Sequence, residues 1–125
     1  MQHRTIAFIG AGNMSRSIIA GLHQSGYPAD RILAANPSRP KLDALVQQFG
    51  IGVSQDNAEV ARMSDVIVLA VKPQLMAAML ANLVSELGSL EGKLLISIAA
   101  GIKVERLCEM AGGHHRIIRT MPNTP

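Results

Sequence analysis

Tryptophan is absent and aromatics are scarce, with Phe8, Phe49 and Tyr27 the whole complement. The core therefore has to be built from Ile, Leu, Val, Ala and Met. Basic residues are scattered, with almost no aromatic side chains among them, so neither a base-stacking platform nor a basic strip for nucleic acid is expected. A single cysteine, Cys108, excludes an internal disulfide framework and a cysteine-rich metal site. No apolar run approaches membrane-spanning length. A strand begins within the first few residues, with no basic segment and long apolar stretch before it. A cytoplasmic chain without membrane association is the expectation. His3, His23 and the adjacent pair His114 and His115 lack the i, i+4 spacing that places two ligands on one helical face, and His114 and His115 read as a loop. No Ser or Cys has the neighbours of an activated nucleophile. No metal and no hydrolytic chemistry are expected, and the net charge of +3 suits an anionic ligand without specifying one.

Hydrophobic residues make up 48% of the 125 residues and charged ones 17%, enough for one core and too little for two. Thr5 to Ile9 reads as a strand. Met14, Ile18, Ile19 and Leu22 follow at helical spacing, up to a stop at Gly26. A second strand at Ile32–Ala35 leads to a helix carrying Leu42, Leu45, Val46 and Phe49, stopped by Gly50. Next come a short strand near Gly52 and Val53 and a small helix from Asn57 to Met63. The unbroken apolar run Asp65–Val71 suits a central parallel strand. Pro73 stands where a helix tolerates proline, in its first turn, and Leu75, Met76, Met79, Leu80, Leu83, Val84 and Leu87 form one apolar stripe after it. Lys93–Ile98 and Arg116–Arg119 read as further strands, with a helix from Val104 to Met110 between them. Such alternation predicts an α/β fold: a doubly wound, mainly parallel, Rossmann-like sheet in three α/β/α layers, with residues 1–125 as one domain.

In such sheets a ligand crosses the carboxyl ends of the strands, which puts four segments in view. The first is Gly10-Ala11-Gly12-Asn13-Met14-Ser15. Gly10 permits a tight turn, Gly12 leaves the backbone bare, and the first amides of the next helix lack intrahelical partners, so a dinucleotide pyrophosphate is the ligand that fits. Ser15 stands where the strict fingerprint has a third glycine, and it is small enough for close helix–strand packing. An ordinary glycine turn is the plainer alternative. The second segment offers Asn36, Ser38 and Arg39 where NAD-specific sites usually place a carboxylate. With no acid to repel a 2′-phosphate and Arg39 to attract it, NADP(H) is expected in preference to NAD(H), although Arg39 as a solvated loop cation fits the sequence too. The third and fourth segments are Ala70-Val71-Lys72-Pro73 and Ala99-Ala100-Gly101, whose small residues let a ring or ribose approach the backbone. Tight strand-to-helix turns would use the same residues, and Lys72 either meets the cofactor or simply begins the loop.

These motifs resemble the N-terminal domain of the pyrroline-5-carboxylate reductases. The resemblance rests on Phe8-Ile9-Gly10-Ala11-Gly12-Asn13-Met14, Asp65 to Gln74, Ser97 to Ile102 and the closing Arg119-Thr120-Met121-Pro122-Asn123-Thr124-Pro125. It implies an NAD(P)H-dependent oxidoreductase of proline biosynthesis, which moves hydride to the cyclic C=N bond of 1-pyrroline-5-carboxylate to give L-proline. It further implies that Gly10 to Ser15 hold the pyrophosphate, that Asn57 meets a cofactor ribose, and that Asn123 joins Ala70–Pro73 and Ala99–Gly101 around the nicotinamide. No catalytic residue in this chain is evident. The family's helical C-terminal domain, which forms the homo-oligomer and much of the imino-acid pocket, is missing after Pro125, so the chain alone is expected to bind cofactor and turn over little substrate. Other NADP-linked oxidoreductases, such as deazaflavin-dependent or β-hydroxyacid enzymes, share the glycine turn but not the closing segment. A stand-alone nucleotide-sensing module is the non-enzymatic alternative.

Overall fold

β1 (Ile6–Ile9), β2 (Ile32–Ala35), β3 (Gly52–Ser54), β4 (Val66–Leu69), β5 (Leu94–Ser97) and β6 (Ile117–Arg119) form one sheet in the order β3-β2-β1-β4-β5-β6. Every pairing is parallel, with Ile6 opposite both Ile32 and Val66 in register. The coordinates are a computed structural model that describes residues 3–113 and 116–120. Asn123, the rest of the closing segment beyond Thr120, and His114 and His115 lie outside the described residues.

The sequence lacks period-two alternation because both faces of the sheet are covered. Ala7, Ile9, Leu33, Ala35, Ile67, Leu69 and Leu95 pack on one side against α3 (Asn57–Arg62), α4 (Pro73–Leu87) and α5 (Val104–Met110). Phe8, Ile32, Ala34 and Val68 pack on the other against α1 (Asn13–Gln24) and α2 (Arg39–Phe49). Phe8, Ile9, Ile67 and Leu69 are completely buried, each withdrawing enough apolar surface to contribute about 1.5–3 kcal/mol before conformational entropy is counted. This is the three-layer, doubly wound Rossmann-like arrangement expected from the alternation.

Three local expectations change. The run Asp65–Val71 is strand only over Val66–Leu69. At its start the Asp65 carboxylate turns aside to accept the Thr5 N–H at 3.0 Å, and beyond Leu69 the chain leaves the ladder once Ala70 N has donated to Ile9 O. Leu75 is 55% exposed rather than part of the α4 stripe, because α4 meets the sheet through Met76, Met79, Leu80 and Leu83. Val46 is likewise exposed, since Leu42 and Leu45 carry the buried face of α2.

Candidate functional site

The strand order reverses between β1, whose next strand in sequence, β2, pairs on one side, and β4 on its other side. A parallel sheet opens a crevice at such a point, beyond the carboxyl ends of the strands. Gly10 follows β1 there with φ +107°, and a β-carbon on it would come within 2.7 Å of Ala70 O. The residue must be glycine both for its backbone angle and for this approach to the end of β4.

Gly12 differs. It is extended (φ −81°, ψ −172°) and caps α1 without a side-chain hydrogen bond, and nothing stands within 4 Å of where its β-carbon would be. The bare glycine therefore keeps open space in front of the first turn of α1, a cradle that a side chain would fill. The amides of that turn carry the positive end of the helix dipole. These features fit an anion such as a diphosphate.

The loop is braced from behind. Ser15 is fully buried and donates its hydroxyl to Gly10 O at 2.6 Å, so its side chain packs under the loop instead of facing a ligand. Asn36 accepts the Ala11 N–H on Oδ1 at 3.1 Å, while Gly10 N donates to Ala35 O at 2.9 Å. Asn36 N in turn donates to Ser54 O at 3.3 Å, and Gln55 Nε2 donates to Pro37 O at 2.8 Å. The ends of β1, β2 and β3 are thus joined in one hydrogen-bonded rim.

A cavity of about 460 Å³ opens above this rim. It is lined by Gly10, Ala11 and Gly12 after β1, by Ala35 to Ser38 and Lys41 around the end of β2, by Asn57 at the start of α3, and by Ala70, Val71, Lys72, Leu75 and Met79 from the end of β4 into α4. Nine residues selected from the sequence thus converge: Gly10, Ala11, Gly12, Asn36, Ser38, Asn57, Ala70, Val71 and Lys72. Asn13 borders a neighbouring hollow of about 230 Å³ between α1 and α2, with Ala11, Gly12, Arg16 and Lys41. Met14 and Pro73 begin helices beside the site without lining the larger cavity.

Arg39 does not line it either; its Nε lies 3.1 Å from Asp43 Oδ1, one helical turn along α2. Ala99, Ala100 and Gly101 follow β5 at the same edge of the sheet, Ile98 N donating to Leu69 O at 3.1 Å, but they stand outside the cavity. Ala99 is buried, its N–H donated to Ser97 Oγ at 3.3 Å, and Gly101 turns the chain with φ +82°.

Ala35, Lys41, Leu75 and Met79 also line the cavity, and no motif in the sequence marks them. Met79 belongs to the buried stripe of α4 and reaches the cavity from it, whereas the phase of α4 turns Leu75 outward. Burial pushes the Tyr27 phenol up and the Lys93 ammonium down. Both stand at the opposite edge of the sheet, Tyr27 Oη donating to Arg4 O and Lys93 Nζ to Ser64 O. Among the described residues there is no cluster of His, Cys, Asp and Glu able to hold a metal, and no helix is long and apolar enough to cross a membrane.

Residues 5–101 match the family model described as NADP oxidoreductase coenzyme F420-dependent. The whole chain is 48% identical to the pyrroline-5-carboxylate reductase of Vibrio alginolyticus and covers 45% of that protein. Among solved structures, a pyrroline-5-carboxylate reductase from Coxiella burnetii superposes with a TM-score of 0.93 at 39% identity, covering 99% of this chain and 46% of the other. The Plasmodium falciparum pyrroline carboxylate reductase with NADP bound superposes with a TM-score of 0.82 at 31% identity, covering all of this chain and 44% of the other. The chain thus spans less than half the length of these relatives.

Proposed function

The chain belongs to the family described as NADP oxidoreductase coenzyme F420-dependent, and from that premise we propose that it is the cofactor-holding part of a pyrroline-5-carboxylate reductase. The observation that carries this choice is the extent of the match. The family model ends at residue 101, whereas the match to the Vibrio enzyme, 48% identical, spans all 125 residues and so extends over residues 119–125.

In this reading Gly10 to Met14 receive the pyrophosphate at the head of α1, and the Gly12 cradle is the feature that fits it. Asn36, Ser38 and Asn57 face the adenosine ribose, and Leu75 and Met79 supply an apolar side for the adenine. Ala70 to Pro73, Ala99 to Gly101 and Asn123 would border the nicotinamide. A reduced nicotinamide, when bound, supplies the hydride for the carbon of the cyclic C=N bond, and the nitrogen takes a proton, giving L-proline. The chain's own contribution is positioning and charge. In this reading the imino-acid pocket and the contacts between subunits come from the part of the protein that this chain does not span, so the chain by itself should bind NADP(H) and turn over little substrate.

The family description favours a second reading, transfer between NADP and coenzyme F420. The two separate in one assay. The chain fused to the C-terminal half of the Vibrio enzyme should oxidise NADPH with 1-pyrroline-5-carboxylate and form proline. Reduction of coenzyme F420 by the chain alone, with no proline formed by the fusion, would select the second reading.

A further inference from the structure

Two cations, Lys41 and Lys72, line the larger cavity, and no carboxylate does. They belong to elements on opposite faces of the sheet. Lys72 precedes α4 beside Val71 and Leu75, whereas Lys41 belongs to α2, beside Ser38, and also borders the second hollow with Gly12 and Asn13. Lys41 is thus the cation shared by the two spaces that meet at Gly12. A dinucleotide presents its adenosine ribose to the end of β2, so the 2′-position falls on the wall that carries Ser38 and Lys41.

The neighbouring guanidiniums are engaged elsewhere. Arg39 is held to Asp43 at 3.1 Å, and Arg16 Nε donates to Gln48 Oε1 at 2.9 Å. Lys41 makes no ion pair among the described residues. The first turn of α2 also contains Pro40, which has no N–H to offer, so backbone donors there are fewer than in an ordinary helix start. Ser38, at the N-cap, makes no capping bond with its hydroxyl, which leaves that group able to donate to an oxygen beside Lys41.

We propose that Lys41, with Ser38, is the determinant that selects a 2′-phosphorylated nucleotide over its unphosphorylated counterpart, in place of the more conspicuous Arg39. The assignment rests on the cofactor reading above and deepens it. A phosphate monoester carries about −1.5 to −2 charges at neutral pH, and a partly shielded ammonium beside it gives a charge-assisted hydrogen bond that a plain ribose hydroxyl cannot match. The consequence is an effect confined to one of two otherwise identical ligands.

The test is calorimetric titration of NADPH and NADH into the wild-type chain and into Lys41→Met, Lys41→Arg and Arg39→Met, with thermal melts to verify folding. Lys41→Met should raise the NADPH Kd by about tenfold or more, in line with a lost charge-assisted bond, and leave the NADH Kd within about twofold. Lys41→Arg should recover most of the preference, and Arg39→Met should change it by less than about threefold, as for an exposed cation. Equal weakening of both nucleotides by Lys41→Met, or a loss of preference in Arg39→Met alone, overturns the assignment. Failure of the folded wild type to bind either nucleotide overturns instead the cofactor reading beneath it. If Lys41→Met does not fold, Lys41→Gln replaces it under the same criteria.

Discussion

Asn36 Oδ1 accepts the backbone N–H of Ala11 at 3.1 Å, joining the end of β2 to the loop after β1. One side chain therefore sets the loop and also lines the cavity. Asn36→Asp keeps the acceptor and adds a charge. Fold stability should change by less than about 1 kcal/mol, while the nucleotide preference moves toward NADH as the carboxylate repels a 2′-phosphate. Parallel urea unfolding and NADPH/NADH titrations check both halves; an unmoved affinity ratio would remove Asn36 from the ribose wall.

The two glycines of the loop should fail in different ways. Gly10→Ala forces a β-carbon to within 2.7 Å of Ala70 O at φ +107°, so global stability should drop by about 1–3 kcal/mol or more, the scale of a strained backbone and an overpacked contact. Gly12→Ala meets nothing within 4 Å; stability should stay within about 1 kcal/mol while nucleotide affinity falls. Chemical denaturation and calorimetry on each variant separate the roles, and an equal loss of stability in both would contradict them.

Leu75 is 55% exposed on the cavity wall. Leu75→Ala should cost little stability, because truncating an exposed side chain leaves no internal void. It should raise the Kd of NADPH and NADH alike by roughly three- to tenfold, the scale of one lost apolar contact. A selective effect on one nucleotide would place Leu75 elsewhere.

Tyr27 donates its hydroxyl to Arg4 O, and its pKa lies above 10.0, raised mainly by burial and also by Asp65, against the lowering effects of Arg31 and Arg4. The protonated phenol is thus favoured by the fold. Its stabilisation is complete below the unfolded value of 10.0 and is lost as the pH rises through the higher folded value. Wild type should be more stable than Tyr27→Phe near neutrality, by about 1 kcal/mol, with the gap closing above pH 10. Denaturant midpoints across that range check the sign; a gap that widens with pH would refute it.

Most of the sheet was legible because its signals are local. The apolar runs at Ile6–Ile9 and Val66–Leu69 have no polar face to hide, and the glycine stops mark where helices end. Nine of the chosen residues meet in the cavity because they all follow parallel strands and hence share one edge. What escaped depends on rotation and competition. Leu75 and Met76 adjoin in sequence, yet the phase of α4 buries one and exposes the other. Arg39 pairs with Asp43 one turn along α2 and does not line the cavity, whereas Lys41 does; the i, i+4 partner was readable in the sequence, the orientation of Lys41 was not. The buried bond from Ser15 to Gly10 O was not, since a hydroxyl under a loop looks the same in sequence as one facing a ligand.

If the backbone around Gly12 receives a dinucleotide diphosphate, the backbone amide resonances of the folded chain respond to an NADPH titration at that loop. Saturable shifts should centre on Ala11 to Ser15, weaken in Gly12→Ala, and spread to Ser38, Lys41 and Leu75. An unchanged spectrum at millimolar NADPH and NADH, or shifts confined to the opposite edge of the sheet near Arg4 and Asp65, would mean that no diphosphate binds at Gly12.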